Sequence, residues 1–173
     1  MARRAAFPPL PLGEGWDTLD PREVRLFLLL WSCSVGAGTA SCDPPGTQVE
    51  HPKAAGCVVI EEQRLLMVRT RHGWTIPGGK IEEGEEPAVA AARESREEAG
   101  VDVRATAPAC AVPGKSFVAW SCERTTAVGP QPDGDETTEA RFLPRDELLA
   151  LPDAELRYPD QRTSLVRLID ASR

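Results

Sequence analysis

Three carboxylates crowd one short stretch of this chain. In "RESREEAG", residues 93–100, Glu94, Glu97 and Glu98 fall at i, i+3 and i+4, so a helix would gather them on one patch of its surface. Like charges at that spacing destabilise a helix by roughly a few tenths of a kcal/mol per pair, and helix stability therefore does not account for them. Clustered carboxylates are tolerated where a hard divalent cation neutralises them, and Mg²⁺ takes oxygen ligands together with water and substrate phosphates. The chemistry suggested is metal-assisted work on a phosphate or diphosphate; the competing reading is an ordinary solvated acidic face.

The wider segment, "GGKIEEGEEPAVAAARESREEAGV", narrows the choice. Gly79 is followed after five residues by Glu85, after seven more by Arg93-Glu94, after two by Glu97-Glu98 and after one by Gly100-Val101. This resembles the Nudix box, G-x5-E-x7-R-E-U-x-E-E-x-G-U with U a bulky aliphatic residue, and every fixed polar and glycine position agrees. Ser95 departs from it, standing where the family has an aliphatic side chain. The expectation is that its hydroxyl turns to the carbonyl of Ala91. Ala88, Ala91, Ala92, Ser95 and Ala99 would then form a small-residue stripe facing a sheet.

The resemblance implies a hydrolase that uses Mg²⁺, with Mn²⁺ as the alternative ion, to cleave a phosphoanhydride bond in a nucleoside diphosphate-linked or related substrate. Carried over residue by residue, it makes Glu97 and Glu98 metal ligands, joined by the Gly78 carbonyl. Glu94 becomes the general base or a further ligand, Arg93 orients a glutamate, and Glu85 holds the loop or joins the metal shell. Gly78 and Gly79 allow a tight turn and close backbone approach, with Gly79 and Lys80 as substrate contacts. A further acid from a late loop is sought at Glu136 and Glu139. A catalytically silent nucleotide-binding sensor on the same fold is the alternative. Structural Ca²⁺ binding is disfavoured by the lack of a D-x-D-x-D-G loop. Arg69, Arg71 and Lys80 read equally as phosphate contacts or solubilising charges. His72 and Trp74 are candidates to touch a substrate base, against exposed loop for His72 and core for Trp74, and Trp120 and Tyr158 read as packing residues rather than base-stacking platforms.

These side chains need a scaffold. "AGCVVI" and "RLLMVRT", separated by "EEQ", read as a hairpin, and "WTIPGG" as a short strand entering a glycine turn. "EPAVAAARESREEAG" carries Pro87 near its start and Gly100 at its stop, both helix signals. "VDVRA", "SFVAWSCE" and "TEARFLP" read as strands, "RDELLAL" and "QRTSLVRLIDA" as helices, and "TTAVGPQPDGDE" as a loop. The fold class is α/β, and the resemblance implies a Nudix-like α/β/α sandwich with a mixed β-sheet.

Composition sets the remaining bounds. The chain has 173 residues, 41% of them hydrophobic, enough for the core of one ordinary domain. A net charge of −7 argues against duplex nucleic acid as a partner, since phosphate-backbone binding needs clustered Lys and Arg. The five cysteines contain no C-x-x-C pair and hence no zinc signature. Cys110 and Cys122 flank a predicted turn, and either pair across neighbouring strands or stay as two buried thiols. Residues 1–52 form an extension and 53–173 the hydrolase domain. The extension opens with a Pro/Gly-rich stretch and continues into an apolar segment, 24–42, of signal or lipoprotein type with Cys42 as a lipid-anchor site. The alternatives are a packed apolar appendage or a start-site artefact, so that location is cytoplasmic or exported and membrane-anchored.

Overall fold

The computed structural model of the chain describes residues 49–112 and 115–172; the apolar segment 24–42, Cys42 and the Pro/Gly-rich stretch lie outside them. The strands are β1 (Ala54–Val58), β2 (Ile60–Glu61), β3 (Arg64–Thr70), β4 (Gly73–Thr75), β5 (Gly78–Lys80), β6 (Val103–Val112), β7 (Phe117–Arg124) and β8 (Thr137–Pro144). The helices are α1 (Pro87–Ala99), α2 (Arg145–Ala150) and α3 (Arg162–Ala171), with 3₁₀ turns at Asp153–Glu155 and Pro159–Gln161.

Two sheets share the chain. One runs β5-β1-β7-β6 with β1 and β7 parallel and the other neighbours antiparallel. In the other, β3 pairs antiparallel with β8 along its length and with β2 and β4 at its two ends. The expected hairpin is therefore shorter than its apolar run suggested. Glu62 and Gln63 take positive φ values of 48° and 63°, as a two-residue primed turn requires, and they pair Ile60 with Leu65 and Glu61 with Arg64. Beyond Val59, whose carbonyl accepts the Leu66 N–H at 2.9 Å, the preceding residues leave β3 and join β7 in the other sheet. A run of apolar residues without alternation cannot reveal that change of sheet, because both faces are buried.

The three layers follow from β3. Leu65 and Met67 point into a core with Trp74, Leu143, Leu148 and Ile169, on the side of α2 and α3. Leu66 and Val68 point into a second core with Ala55, Val59, Ala90, Ala91 and Val101, under α1. Helices thus cover both faces, the α/β/α arrangement expected. Trp74 is a core residue, 2% exposed.

Helix α1 begins with Pro87 in its first turn and ends where Gly100 adopts φ 64°. The Gly100 N–H donates to Arg96 O at 3.0 Å and the Val101 N–H to Ser95 O at 3.3 Å, a left-handed cap that satisfies the last carbonyls. Its buried residues are Ala90, Ala91, Ser95, Glu98 and Ala99, so the inward stripe is rotated from the one expected: Ala88 and Ala92 lie at its margin, and Glu98 belongs to it.

The Ser95 hydroxyl is fully buried and has no hydrogen-bond partner among the described residues; it does not reach Ala91. A buried unsatisfied hydroxyl costs roughly 1–3 kcal/mol. Ser95→Ala should therefore raise the midpoint of urea unfolding, and a lowered midpoint would show that the hydroxyl has a partner in solution.

The strand register also decides the cysteines. Cys110 faces Ala119 and Cys122 faces Ala105 in the β6–β7 ladder, so Cys110 and Cys122 are not opposite each other. Cys122 is bonded instead to Cys57 of β1, with Cα atoms 5.7 Å apart. Neither reading of the two holds for Cys122, whose bond runs across the parallel β1–β7 pair.

Candidate active site

The site begins where β5 meets β1. Gly78 pairs with Gly56, and Gly79 with Ala55. A Cβ on Gly78 would stand 2.6 Å from the Gly56 Cα and 2.7 Å from the Ala55 carbonyl oxygen, so only glycine allows this approach of the two backbones. A Cβ on Gly79 would instead meet the Glu94 carboxylate, with Oε1 at 2.5 Å and Oε2 at 2.6 Å. The two glycines therefore do different things. Gly78 lets the strands pair, whereas Gly79 leaves room for an acid to lie on the main chain.

Glu98 enters from α1. Its carboxylate is almost fully buried, with the residue 6% exposed, and Oε2 accepts the Gly78 N–H at 2.8 Å. No cation stands within ion-pair distance of it among the described residues. Burial pushes its pKa up to about 7, the negative charges of Glu94 and Glu136 push the same way, and the Gly78 N–H and Arg157 oppose them. The Glu94 carboxyl is also raised by burial, against the pull of Arg93.

Arg93 organises the other acids. Its Nε and Nη2 donate to the two Glu85 oxygens at 2.9 and 3.0 Å, a bidentate pair of the kind a planar guanidinium favours. Nη1 donates to Glu94 Oε1 and to Glu97 Oε2, both at 2.9 Å. Nη2 also reaches the Lys80 carbonyl at 2.9 Å. Glu85 in turn accepts the Glu82 N–H at 3.0 Å, closing the loop between β5 and α1. Hydrogen bonding to Arg93 holds the Glu85 carboxyl below the usual range. Glu97 remains outermost, its side chain 52% exposed.

The late acids separate. Glu136 is close enough for its charge to act on both Glu94 and Glu98, and it lines the same cleft as Glu98. Its loop is held by Asp133, which accepts the backbone N–H groups of Asp135, Glu136 and Thr137 at 3.1, 3.4 and 2.9 Å. The buried Thr137 hydroxyl stands 2.7 Å from the Glu98 carbonyl oxygen. Glu139 lies along β8 and accepts from Arg141 Nε at 2.8 Å. The Asp133–Thr137 tether and Arg157 escaped the sequence reading. A D-G-D turn signal marks the first, and nothing local marks the second.

Two depressions flank this ridge. The larger, about 830 Å³, contains Glu98 and Glu136 in its wall. The smaller, about 240 Å³, is bordered by Gly78, Gly79, Lys80, Lys115 and Tyr158. Arg157 borders both. Among the described residues, no three His, Cys, Asp or Glu side chains already stand together as a metal cage, and Arg93 engages Glu85, Glu94 and Glu97. The donor set nonetheless fits a hard divalent cation. Glu98 is a buried carboxylate in no ion pair among the described residues, and Mg²⁺ draws only some of its ligands from protein.

A three-layer α/β/α sandwich with this glycine turn and this acid-bearing helix defines a Nudix hydrolase. The chain belongs to that family: the NUDIX domain model matches residues 50–163. It is 32% identical over 126 residues to the CMP-5'-(N-acetyl-N-hydroxy-3-aminopropyl)phosphonate hydrolase of Streptomyces rubellomurinus, covering 62% of this chain and 61% of that protein. It is 30% identical over 131 residues to an 8-oxo-(d)GTP phosphatase of Mycolicibacterium smegmatis, covering 72% of this chain and 37% of that one. The chain thus spans less than two thirds of the length of either relative. In fold it is similar to an ADP-ribose pyrophosphatase of Streptococcus suis, with a TM-score of 0.55 at 22% identity over 69% of this chain and 90% of the other.

The contrast between the two glycines yields a prediction. In Gly79→Ala the new methyl meets only the end of the flexible Glu94 side chain, so the fold should persist while the carboxylate is displaced. Hydrolysis should fall about 10–100-fold, the range for losing a supporting contact at a metal site, with little change in melting temperature. In Gly78→Ala the methyl meets backbone, and the melting temperature should drop as well. Equal melting losses in the two variants would refute the distinction.

Proposed function

We propose that the protein hydrolyses a phosphoanhydride bond in a nucleoside diphosphate-linked or related substrate with the help of Mg²⁺, which Mn²⁺ can replace. The observation that carries this reading is the buried Glu98 carboxylate, in no ion pair among the described residues, which lines the large cleft and accepts the N–H of Gly78. Glu98 and Glu97 would hold the ion, with Glu94 and the Gly78 carbonyl completing the protein's share. When bound, the ion supplies positive charge against the diphosphate and acidifies water beside it.

The remaining roles belong to the chain itself. Glu94, its carboxyl raised by burial against the pull of Arg93, is the candidate general base. Arg93 and Glu85 are positioning residues that fix the loop between β5 and α1, and Gly79 and Lys80 offer backbone and charge to the substrate phosphates. Glu136 is the further acid favoured from the late loop. We assign the activity to residues 53–173, with 1–52 as an extension. The substrates named for the two relatives, a CMP-linked phosphonate and an oxidised guanine nucleotide, support a nucleotide-like substrate.

The test uses the full chain with a panel of nucleoside triphosphates and nucleotide conjugates, with and without Mg²⁺. Magnesium-dependent release of a nucleoside phosphate is expected. Mg²⁺-dependent binding with no turnover of any panel member would replace this reading with a nucleotide-binding sensor on the same fold.

A further inference from the structure

The lining of the large cleft carries both signs of charge. It includes Glu98 and Glu136, and also Arg71 and His72, from the turn between β3 and β4, and Arg157, from the segment before the second 3₁₀ turn. Arg71 and Arg157 are far apart in sequence, and Gly73 brings them together. It takes φ +106°, and a Cβ there would lie 2.6 Å from the Glu155 carbonyl oxygen and 3.0 Å from the Arg157 nitrogen. The segment 155–157 therefore lies directly on the turn. The Arg157 N–H donates to the Trp74 carbonyl at 3.0 Å, and Leu156 bridges Trp74 in parallel.

Neither of these two guanidiniums is held in an ion pair among the described residues. Arg69, in the same cleft, is paired with Glu155 at 3.7 Å. Arg71 and Arg157 have no carboxylate within ion-pair distance among the described residues. Arg71 donates through Nε to His72 Nε2 at 3.0 Å, and the Arg157 guanidinium lies over the Tyr158 ring, 5.2 Å from its centroid. In a chain of net charge −7, two arginines outside any ion pair in the lining of one cleft are a recognition surface for an anion, and a planar guanidinium matches phosphate oxygens two at a time. Of the two depressions Arg71 borders the large cleft alone, whereas Arg157 borders both.

We propose that Arg71 and Arg157 form an anion subsite selecting substrates that carry a further phosphate or phosphonate group beyond the scissile diphosphate. This rests on the hydrolase reading above. A substrate ending in an uncharged sugar leaves both guanidiniums unmatched, whereas a terminal phosphate engages them in the cleft.

The experiment measures one ratio in the full chain with Mg²⁺: kcat/KM for a nucleoside triphosphate over kcat/KM for a nucleoside diphosphate linked to a neutral hexose. The ratio should exceed one and fall about tenfold or more in the Arg71→Ala/Arg157→Ala variant, the loss expected for charged hydrogen bonds. Arg157→Lys in place of Arg157→Ala should restore only part of it, since an ammonium is not bidentate. An unchanged ratio, or a preference for the hexose conjugate in the unaltered protein, overturns the subsite. A second arm titrates a hydrolysis-resistant, methylene-bridged nucleoside triphosphate by calorimetry. Arginine-dependent binding without turnover of any substrate keeps the subsite and discards the hydrolase reading. Turnover with binding indifferent to both arginines does the reverse.

Discussion

Glu98→Gln should abolish most hydrolysis while making the metal-free protein more stable. The loss of activity follows from the proposed role of Glu98. Replacing residues that merely support metal ligands costs about 10–100-fold, so replacing a ligand should cost about 100-fold or more. The gain in stability follows from its surroundings. The carboxylate is buried beside Gly78 without a cation, and its pKa rises from 4.5 to about 7. A carboxyl whose folded pKa exceeds its unfolded value costs nothing below about 4.5, where both states hold the proton. It imposes its full penalty above about 7, where neither does. The difference, 7 minus 4.5, corresponds to roughly 3 kcal/mol at most. Glutamine keeps the shape, removes the charge, and can still accept from the Gly78 N–H. Thermal melts in EDTA should show the variant above the unaltered protein at pH 8 and level with it at pH 4. Mg²⁺ should raise the melting temperature of the unaltered protein at pH 8, and raise that of the variant less. A variant melting no higher at pH 8, or retaining full turnover, would show that Glu98 carries neither the charge burden nor the metal.

The second large effect concerns the Cys57–Cys122 bridge. It closes a loop with a sequence separation of 65 residues across two strands of the core sheet. Cross-linking restricts the unfolded chain, and for a loop of this length the entropic contribution is about 4 kcal/mol. Cys57→Ala/Cys122→Ala should therefore lower the melting temperature on the order of 10 °C. Activity at low temperature should largely survive, because neither cysteine borders the two depressions. The bridge nonetheless lies close to the site, since Cys57 follows Gly56, and its N–H donates to the Pro77 carbonyl at 2.9 Å, just before the glycine turn. Thiol alkylation of the denatured, unreduced protein checks the premise directly: full labelling of Cys57 and Cys122 would remove it.

The acid cluster and its helix were legible in the residues themselves, because their information is local. Glu94, Glu97 and Glu98 need only helical spacing to become neighbours, Pro87 and Gly100 mark the ends by backbone chemistry, and the spacing from Gly79 to Glu98 constrains a single turn and helix. The strands of β3, β7 and β8 were legible as β-branched and apolar runs. Their grouping was not, since a run buried on both faces carries no alternation to say which strand it joins. That is why β1 and β3 read as one hairpin though they lie in different sheets, and why Cys122 finds Cys57 rather than Cys110.

By itself, then, the sequence determined that this chain carries a Nudix box on a helix of known bounds, in an α/β domain with an acidic, metal-suited surface. Tertiary structure alone decided which carboxylate is buried, which late acid reaches the cluster, and which arginines share its cleft. Burial of Glu98 depends on how α1 rolls against β1 and β5. The choice of Glu136 over Glu139 depends on the Asp133 tether, and the presence of Arg71 and Arg157 in one cleft depends on a glycine against which a distant segment packs. Each is a contact between residues far apart in the chain, set by how the layers pack, and no local propensity encodes it.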